Sequence, residues 1–414
     1  MELTILGDMI GANPKKINQE MIKRKRSLAG MNYFEGNEFF LLLFVVLLIG
    51  FVVNFFEKRK DYYILVLSLL FTGAIYGKSR AMIVYLLAFV VYQYLIVFLA
   101  QRMEAKRLKP LVFLSILPLV INKVFALTSL HLLAFIGISY MSFKTIQIML
   151  EISDGLIKEK INIKDYLQFL LFFPTVSAGP IDRSRRFLTE INEVMPRKEY
   201  LELAGDGVYR IVLGLLYKIV LSTYVYQMLL ALNNTSTVVY SIKYMYLYTL
   251  YLFFDFAGYS LMAVGSSNIL GIQTPMNFNK PFLSVDIKDF WTRWHITLSI
   301  WLRDFVFSRV LMQVIRKKWF KNRLHNATYA YMVNMLVMGF WHGLSASYIV
   351  YGFYHGVLMA GFEVYQKKST FYKKNKNKNW YKLLSWFVTM NLVMIGFFIF
   401  SGEPYKILLT ILKR

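Results

Sequence analysis

The chain has 414 residues, 57% of them hydrophobic and 17% aromatic, and a mean hydropathy of +0.45. Soluble domains run at roughly 45–50% apolar and about 25% charged; only 17% of this chain is charged, which excludes an ordinary soluble globular protein. No cysteine occurs, so thiolate zinc sites, thiol nucleophiles, disulfide frameworks and iron–sulfur clusters are excluded too. The formal net charge is +24. Its lysines and arginines lie between apolar stretches, so they read as cytoplasmic loops obeying the positive-inside bias, not as a nucleic-acid footprint. An anionic membrane surface or an acidic protein partner would use the same charges.

Residues 1–30 carry Lys15, Lys16, Lys23, Arg24, Lys25 and Arg26. No apolar signal-peptide core precedes Met31. This basic extension is expected either to lie on a lipid surface or to be untranslated, with the chain starting at Met31. A spanning helix needs ~20 mostly apolar residues to cross ~30 Å of hydrocarbon. Candidate spans follow at 39–56, 62–77, 81–100, 111–122, 127–150, 207–232, 241–264, 328–345, 347–365 and 381–400. Segment 165–177 is too short to cross and is followed by Gly179 and Pro180, with Pro174 inside it. It is expected to be half-spanning or re-entrant, a form tolerated only where it is buried in protein or lines a cavity. Lys58, Arg59 and Lys60, and then Arg102, Lys106, Arg107 and Lys109, put the 57–61 and 101–110 loops in the cytoplasm. Arg316, Lys317, Lys318, Lys321 and Arg323 form a later basic run, and Lys367, Lys368, Lys373, Lys374, Lys376 and Lys378 another. Both read as solvated cytoplasmic loops or as partner-docking surfaces. With no internal repeat, residues 31–414 are expected to form a single all-α, polytopic membrane domain.

The polar intrusions into this apolar background carry the chemistry, because ionisable groups at membrane depth are expensive and usually face a cavity or pathway. Five histidines occur: His131, His295, His325, His342 and His355. His342 lies in Gly339-Phe340-Trp341-His342-Gly343, where glycine on both sides permits close approach. An imidazole can accept and return a proton near neutrality; a packing histidine between helices is the plainer alternative. Residues 286–304 contain Trp291, Arg293, Trp294, His295, Ser299, Trp301, Arg303 and Asp304. As one helix, this segment would place His295 and Ser299 on one face at i, i+4, with Trp291 a turn back. Its charges suit an interfacial or re-entrant helix. Asp255, inside the aromatic run Phe253–Ser260, needs a partner such as Arg293 or a histidine. Walker A, GxGxxG, HExxH and GxSxG patterns are missing from the sequence. Neither a bound nucleotide, nor zinc, nor an acyl-serine is expected, which leaves direct transfer with a histidine base acting on a hydroxyl.

The Gly179-Pro180-Ile181-Asp182-Arg183 turn, the Arg293-Trp294-His295 segment and the Trp341-His342-Gly343 triplet together resemble the membrane-bound O-acyltransferase family. Within it, three further segments resemble the branch that moves D-alanine onto teichoic acids. They are Phe254-Asp255-Phe256-Ala257-Gly258-Tyr259-Ser260, Pro275-Met276-Asn277-Phe278-Asn279-Lys280-Pro281-Phe282 and Trp301-Leu302-Arg303-Asp304-Phe305. The resemblance implies a ring of about eleven transmembrane helices with re-entrant or interfacial helices around a thinned centre and a tunnel. It further implies a plasma-membrane enzyme of a Gram-positive bacterium that binds no cofactor of its own. The donor would be D-alanine on the phosphopantetheine arm of an acidic carrier protein. The acceptor would be a teichoic acid or a relay protein, with other membrane proteins of the same system and membrane lipids as neighbours and no nucleic acid. By position His342 matches the catalytic histidine and His295 the assisting one. Asp255, Arg293 and Asn279 match polar positions without an assigned role, and Ser299 and Trp341 are added as supporting candidates. Two rivals follow from the same residues: O-acetyl transfer to an extracellular polysaccharide, or a transporter with a His/Asp proton relay.

Overall fold

The computed structural model describes residues 36–77, 79–104, 108–125, 137–232 and 237–412. The basic 1–30 extension, a start at Met31 and His131 lie outside the described residues. These form helices α1 (Asn37–Phe55), α2 (Asp61–Tyr76), α3 (Arg80–Ala100), α4 (Lys109–Phe125), α5 (Ile138–Ser153), α6 (Ile163–Leu171) and α7 (Ser184–Asn192). Helix α8 (Arg197–Leu215) runs through a π turn at Leu216–Leu221 into α9 (Ser222–Leu230), and α10 covers Thr237–Ile269. Then come α11 (Ile287–Arg293), α12 (Ile296–Leu302), a second π turn (Arg303–Phe307), α13 (Ser308–Arg316), α14 (Arg323–His342), α15 (Ala346–Lys368), α16 (Thr370–Asn375), α17 (Asn379–Phe400) and α18 (Glu403–Leu412).

By length and composition, five described helices can cross a membrane: Glu38–Phe55, Arg80–Ala100, Arg197–Leu230, Thr237–Ile269 and Asn379–Phe400; Asp61–Tyr76 is apolar but shorter. The expected count of about eleven is not reached on these terms. Helix α4 has 17 residues with Pro118 inside it and α5 has 16. Helices α14 and α15 are long enough, at 20 and 23 residues, but bury Asn326, Asn334 and His355.

The described residues fall into two compact units, 36–208 with 265–273, and 209–264 with 274–412. In the first, α1 buries Phe39, Leu43 and Val46 and exposes Leu41, Phe44 and Leu48, the two-sided pattern of a helix between protein and lipid. A Cβ on Gly50 would stand 2.6 Å from the Leu270 side chain, so the glycine admits that contact. Nearby, the Asn54 amide donates to the Gly50 carbonyl (2.8 Å) and the Tyr63 hydroxyl (2.7 Å), which donates to the Leu270 carbonyl at 3.2 Å.

Helix α6 stops at Leu171, three residues before Pro174, and a buried 3-10 turn, Phe173–Thr175, follows it. The segment expected to be broken is broken there and packed inside protein. Its end carries carbonyls that no further helical turn can satisfy. Lys144 of α5, 2% exposed, supplies the donor: its amine reaches the carbonyls of Phe169 (2.8 Å) and Leu170 (3.4 Å) and Thr175 Oγ1 (3.2 Å). In the Gly179–Arg183 turn, Asp182 is buried and accepts from Arg186 Nε (2.9 Å) and the Arg183 amide (2.6 Å). Arg186 in turn pairs with Glu190.

In the second unit, glycines set the helix spacing. A Cβ on Gly258 of α10 would lie 2.7 Å from the Lys218 amide nitrogen and 2.8 Å from the Gly214 carbonyl, which brings α10 against the π turn. Gly339 of α14 faces Gly352 of α15 in the same way, with 3.0 Å from its added Cβ to the Gly352 Cα. Replacing Lys144 by Met keeps the length and removes the donor from three buried acceptors. We expect a loss of about 2–4 kcal/mol in the unfolding of the detergent-solubilised protein; unfolding at the wild-type midpoint would show that the amine does not hold the end of α6.

Candidate active site

The segment expected as one helix over 286–304 is two helices. Asp286 caps α11, accepting from the amides of Lys288 and Asp289 at 2.9 Å each. The helix ends at Arg293, and the chain then pairs with the preceding loop instead of continuing. The Asn279 amide donates to the Arg293 carbonyl (3.0 Å), Phe278 and Trp294 form an antiparallel bridge, and the Ile296 amide donates to the Asn277 carbonyl (2.9 Å). Thr297 Oγ1 donates to Asn277 Oδ1 at 2.6 Å. His295 sits at the break with φ 44° and ψ 53°, a left-handed conformation unusual for a non-glycine residue. It is 4% exposed, edge-to-face with Phe256 at 4.7 Å, and its Nε2 has no hydrogen-bond partner among the described residues.

His342 is the last residue of α14, and Gly343 leaves the helix in extended backbone. A Cβ on Gly343 would stand 2.6 Å from the Tyr348 ring, and one on Gly339 would stand 2.5 Å from the Tyr348 carbonyl. The two glycines thus admit Tyr348 beside the imidazole. Phe400 (4.9 Å), Trp341 (4.6 Å), Tyr348 (6.0 Å) and Tyr351 (6.1 Å) surround the ring of His342, which is half-buried. Trp341 also lies 6.2 Å from His295. The two histidines are brought together: burial first, and then the charge of His342, push the His295 imidazole down to about 3, so His295 is neutral. One half-buried and one buried, neutral imidazole therefore share Trp341 as a neighbour.

The other candidates are placed differently. Asp255 pairs with neither Arg293 nor a histidine, as the sequence suggested, but with Lys218 at 2.7 Å, because Gly258 brings the π turn against α10. Arg293 is engaged by Asp289, one helical turn away, at 2.7 Å. Ser299 does not share a helical face with His295; its amide donates to the His295 carbonyl (3.0 Å) and its hydroxyl to the Trp294 carbonyl (3.3 Å), so it fastens the break. Asn279 is exposed and contributes its backbone, whereas the buried amide is Asn277. Trp291 packs against His355 at 5.1 Å, not against His295. Sequence reasoning missed Asn277, Lys218 and Tyr351. Asn277 stood in a quoted motif and could have been found there; Lys218 and Tyr351 carried no local signal. No group of three or more His, Asp or Glu among the described residues is arranged to hold a metal ion.

Residues 153–402 match the membrane-bound O-acyltransferase family. The chain is 39% identical to the teichoic acid D-alanyltransferase of Bacillus subtilis over 384 residues, covering 89% of this chain and 97% of that protein. It is 40% identical to the teichoic acid D-alanyltransferase of Streptococcus thermophilus over 392 residues, covering 89% and 94%. A probable alginate O-acetylase of Pseudomonas aeruginosa is 31% identical over 281 residues, 67% of this chain and 50% of that protein. The helical fold and the helices long enough to cross a membrane agree with these matches: the chain is a membrane protein and an acyltransferase, and it belongs to the membrane-bound O-acyltransferase family.

Proposed function

We propose that this chain transfers D-alanine to teichoic acids at the plasma membrane of a Gram-positive bacterium. The donor is D-alanine held as a thioester on the phosphopantetheine arm of an acidic carrier protein, and the acceptor is a hydroxyl at the outer face. The near full-length likeness to teichoic acid D-alanyltransferases supports the acyl group and acceptor; the alginate O-acetylases align over only half their own length. The observation that carries the mechanism is the pairing of half-buried His342 with buried, neutral His295.

In that mechanism His342 takes the proton of the acceptor hydroxyl as its oxygen attacks the thioester carbonyl. The carbon–sulfur bond then breaks, and His342 returns the proton to the departing thiolate. General-base action is worth ~10²–10⁴-fold, and orientation of the two substrates supplies more. The thioester sulfur belongs to the donor, since the chain has no cysteine. His295, neutral, hydrogen-bonds the reacting group without adding a second positive charge beside His342. The exposed Arg316–Lys318 and Lys373–Lys378 runs favour an acidic carrier and mainly raise its on-rate.

Ester-linked D-alanine released from cell walls by mild alkali tests this. A deletion strain complemented with His342→Ala at normal protein level is expected to lose at least ~100-fold of the ester; normal esters would overturn the assignment. Unchanged D-alanine esters on deleting the wild-type gene, with altered polysaccharide acetyl esters, would favour O-acetyl transfer instead.

Two substitutions at His295 separate chemistry from backbone. Asn tolerates the left-handed conformation and Val does not, so His295→Asn is expected to fold yet lose activity. His295→Val is expected to lose about 1–3 kcal/mol of stability as well; equal stabilities would show that the break imposes no strain. A pH dependence follows from the same burial. The unfolded chain regains an ordinary imidazole near 6.5 and so binds the extra proton, and stability falls as pH drops from about 6.5 towards 3. In His295→Asn the acid loss measured by unfolding should be shallower; an identical slope would show that His295 is not held neutral.

A further inference from the structure

A cavity of about 340 Å³ lies in the second unit beside α10 and the loop after it. Its walls are rings: Phe253 meets Phe278 edge-on at 5.7 Å and Phe282 at 4.9 Å. Three side chains with polar groups, Tyr217, Ser260 and Lys280, interrupt this apolar lining, and two of them have no partner of their own among the described residues. Ser260 is 1% exposed, and its hydroxyl has no hydrogen-bond partner among the described residues. Lys280 is exposed and makes no ion pair among the described residues. It is held at φ 47°, ψ 55°, the left-handed conformation that glycine adopts without cost. Leu283, 62% exposed, also lines the cavity, so the Lys280 end carries an exposed apolar side chain next to an exposed cation.

The level of this end is fixed by its neighbours. Trp386 Nε1 donates to the Phe282 carbonyl (2.8 Å) and Ser385 Oγ to the Val285 carbonyl (2.6 Å), both within two turns of the start of α17. Trp386 and Trp380 are 37% and 49% exposed, and partly exposed tryptophans at the end of an apolar helix mark the membrane–water interface. The exposed lysines of 367–378 precede the same helix end, so the positive-inside bias puts it at the cytoplasmic leaflet, where anionic lipids lie.

We infer that this cavity binds one anionic phospholipid of the cytoplasmic leaflet. An acyl chain fills the ring-walled cavity, the phosphate contacts Lys280, and the buried Ser260 hydroxyl donates to an ester carbonyl of the lipid. Ser260 and Lys280 then each have a counterpart in one amphiphile, and Leu283 lies where lipid chains begin. A purely apolar ligand would leave the serine hydroxyl unsatisfied, which costs as much as a lost hydrogen bond.

Native mass spectrometry of the full chain released from detergent with dioleoyl phosphatidylglycerol or dioleoyl phosphatidylcholine tests the inference. One phosphatidylglycerol should be retained in preference to phosphatidylcholine. Lys280→Gly removes the charge at a position whose backbone suits glycine, and the preference should fall about tenfold, the size of one charge-assisted contact. Ala257→Phe, which fills the cavity from α10, should abolish retention of either lipid; if it fails to fold, Lys280→Gly still decides. Equal retention of the two lipids by the wild type, or wild-type preference in Lys280→Gly, would overturn the site. Displacement of the lipid by free phosphopantetheine would also overturn it, assigning the cavity to the donor arm. D-alanyl transfer measured on the same preparation reads the proposed function separately, so either result can fail while the other stands.

Discussion

The second unit depends on one break in the chain, at Trp294–His295. Continuing α11 through these residues would keep every backbone hydrogen bond within one helix, so the break persists only because something replaces them. The 277–279 loop does so: its Asn277 carbonyl, Asn279 amide and Phe278–Trp294 bridge take up the groups that the helix releases. A left-handed residue costs roughly 1–2 kcal/mol, and the bonds from Thr297 to Asn277 and from Ser299 to Trp294 and His295 hold it there. The strain falls on a histidine. At a site over-determined by its surroundings, such an outlier points to function more strongly than burial alone.

The same requirement, that polar groups in apolar surroundings find partners, explains the remaining architecture of each unit. In the first, Lys144 serves the carbonyls left by the early end of α6, and Arg186 serves buried Asp182. In the second, Lys218 serves Asp255. Glycines make the last of these pairings reachable, since Gly258 brings the π turn to α10; Gly339 and Gly343 likewise open the space beside His342 that Tyr348 fills.

Helices and their interruptions were legible in the sequence because apolar runs and prolines act locally. The spans near 39–56, 81–100 and 381–400 and the break after Leu171 could be read without a structure. So could the 286–304 and 339–343 segments as candidates, since histidines and charges are conspicuous in an apolar chain. Partnerships were not legible. Asp255 needed a cation, but Lys218, Arg293 and the histidines all met the chemical demand, and only the close approach at Gly258 selects Lys218. The i, i+4 reading of His295 and Ser299 failed for a related reason. Helical periodicity assumes that the chain prefers its own turn to any outside partner, and the 277–279 loop is such a partner.

That failure clarifies what the break achieves. Were 286–304 continuous, the amides of Trp294 to Ile296 would all bond within the helix and the His295 ring would follow the helical face. With the break, Trp294 is drawn into the bridge with Phe278, and the His295 ring packs edge-on to Phe256 near Trp341, the neighbour of His342. The local conformational cost is thus coupled to an orientation that a regular helix would not give. Burial keeps this second imidazole uncharged, so two rings that would repel as cations can remain neighbours. The backbone thus sets one half-buried and one buried imidazole near each other before any substrate is considered, and the proposed roles of base and neutral partner rest on that arrangement.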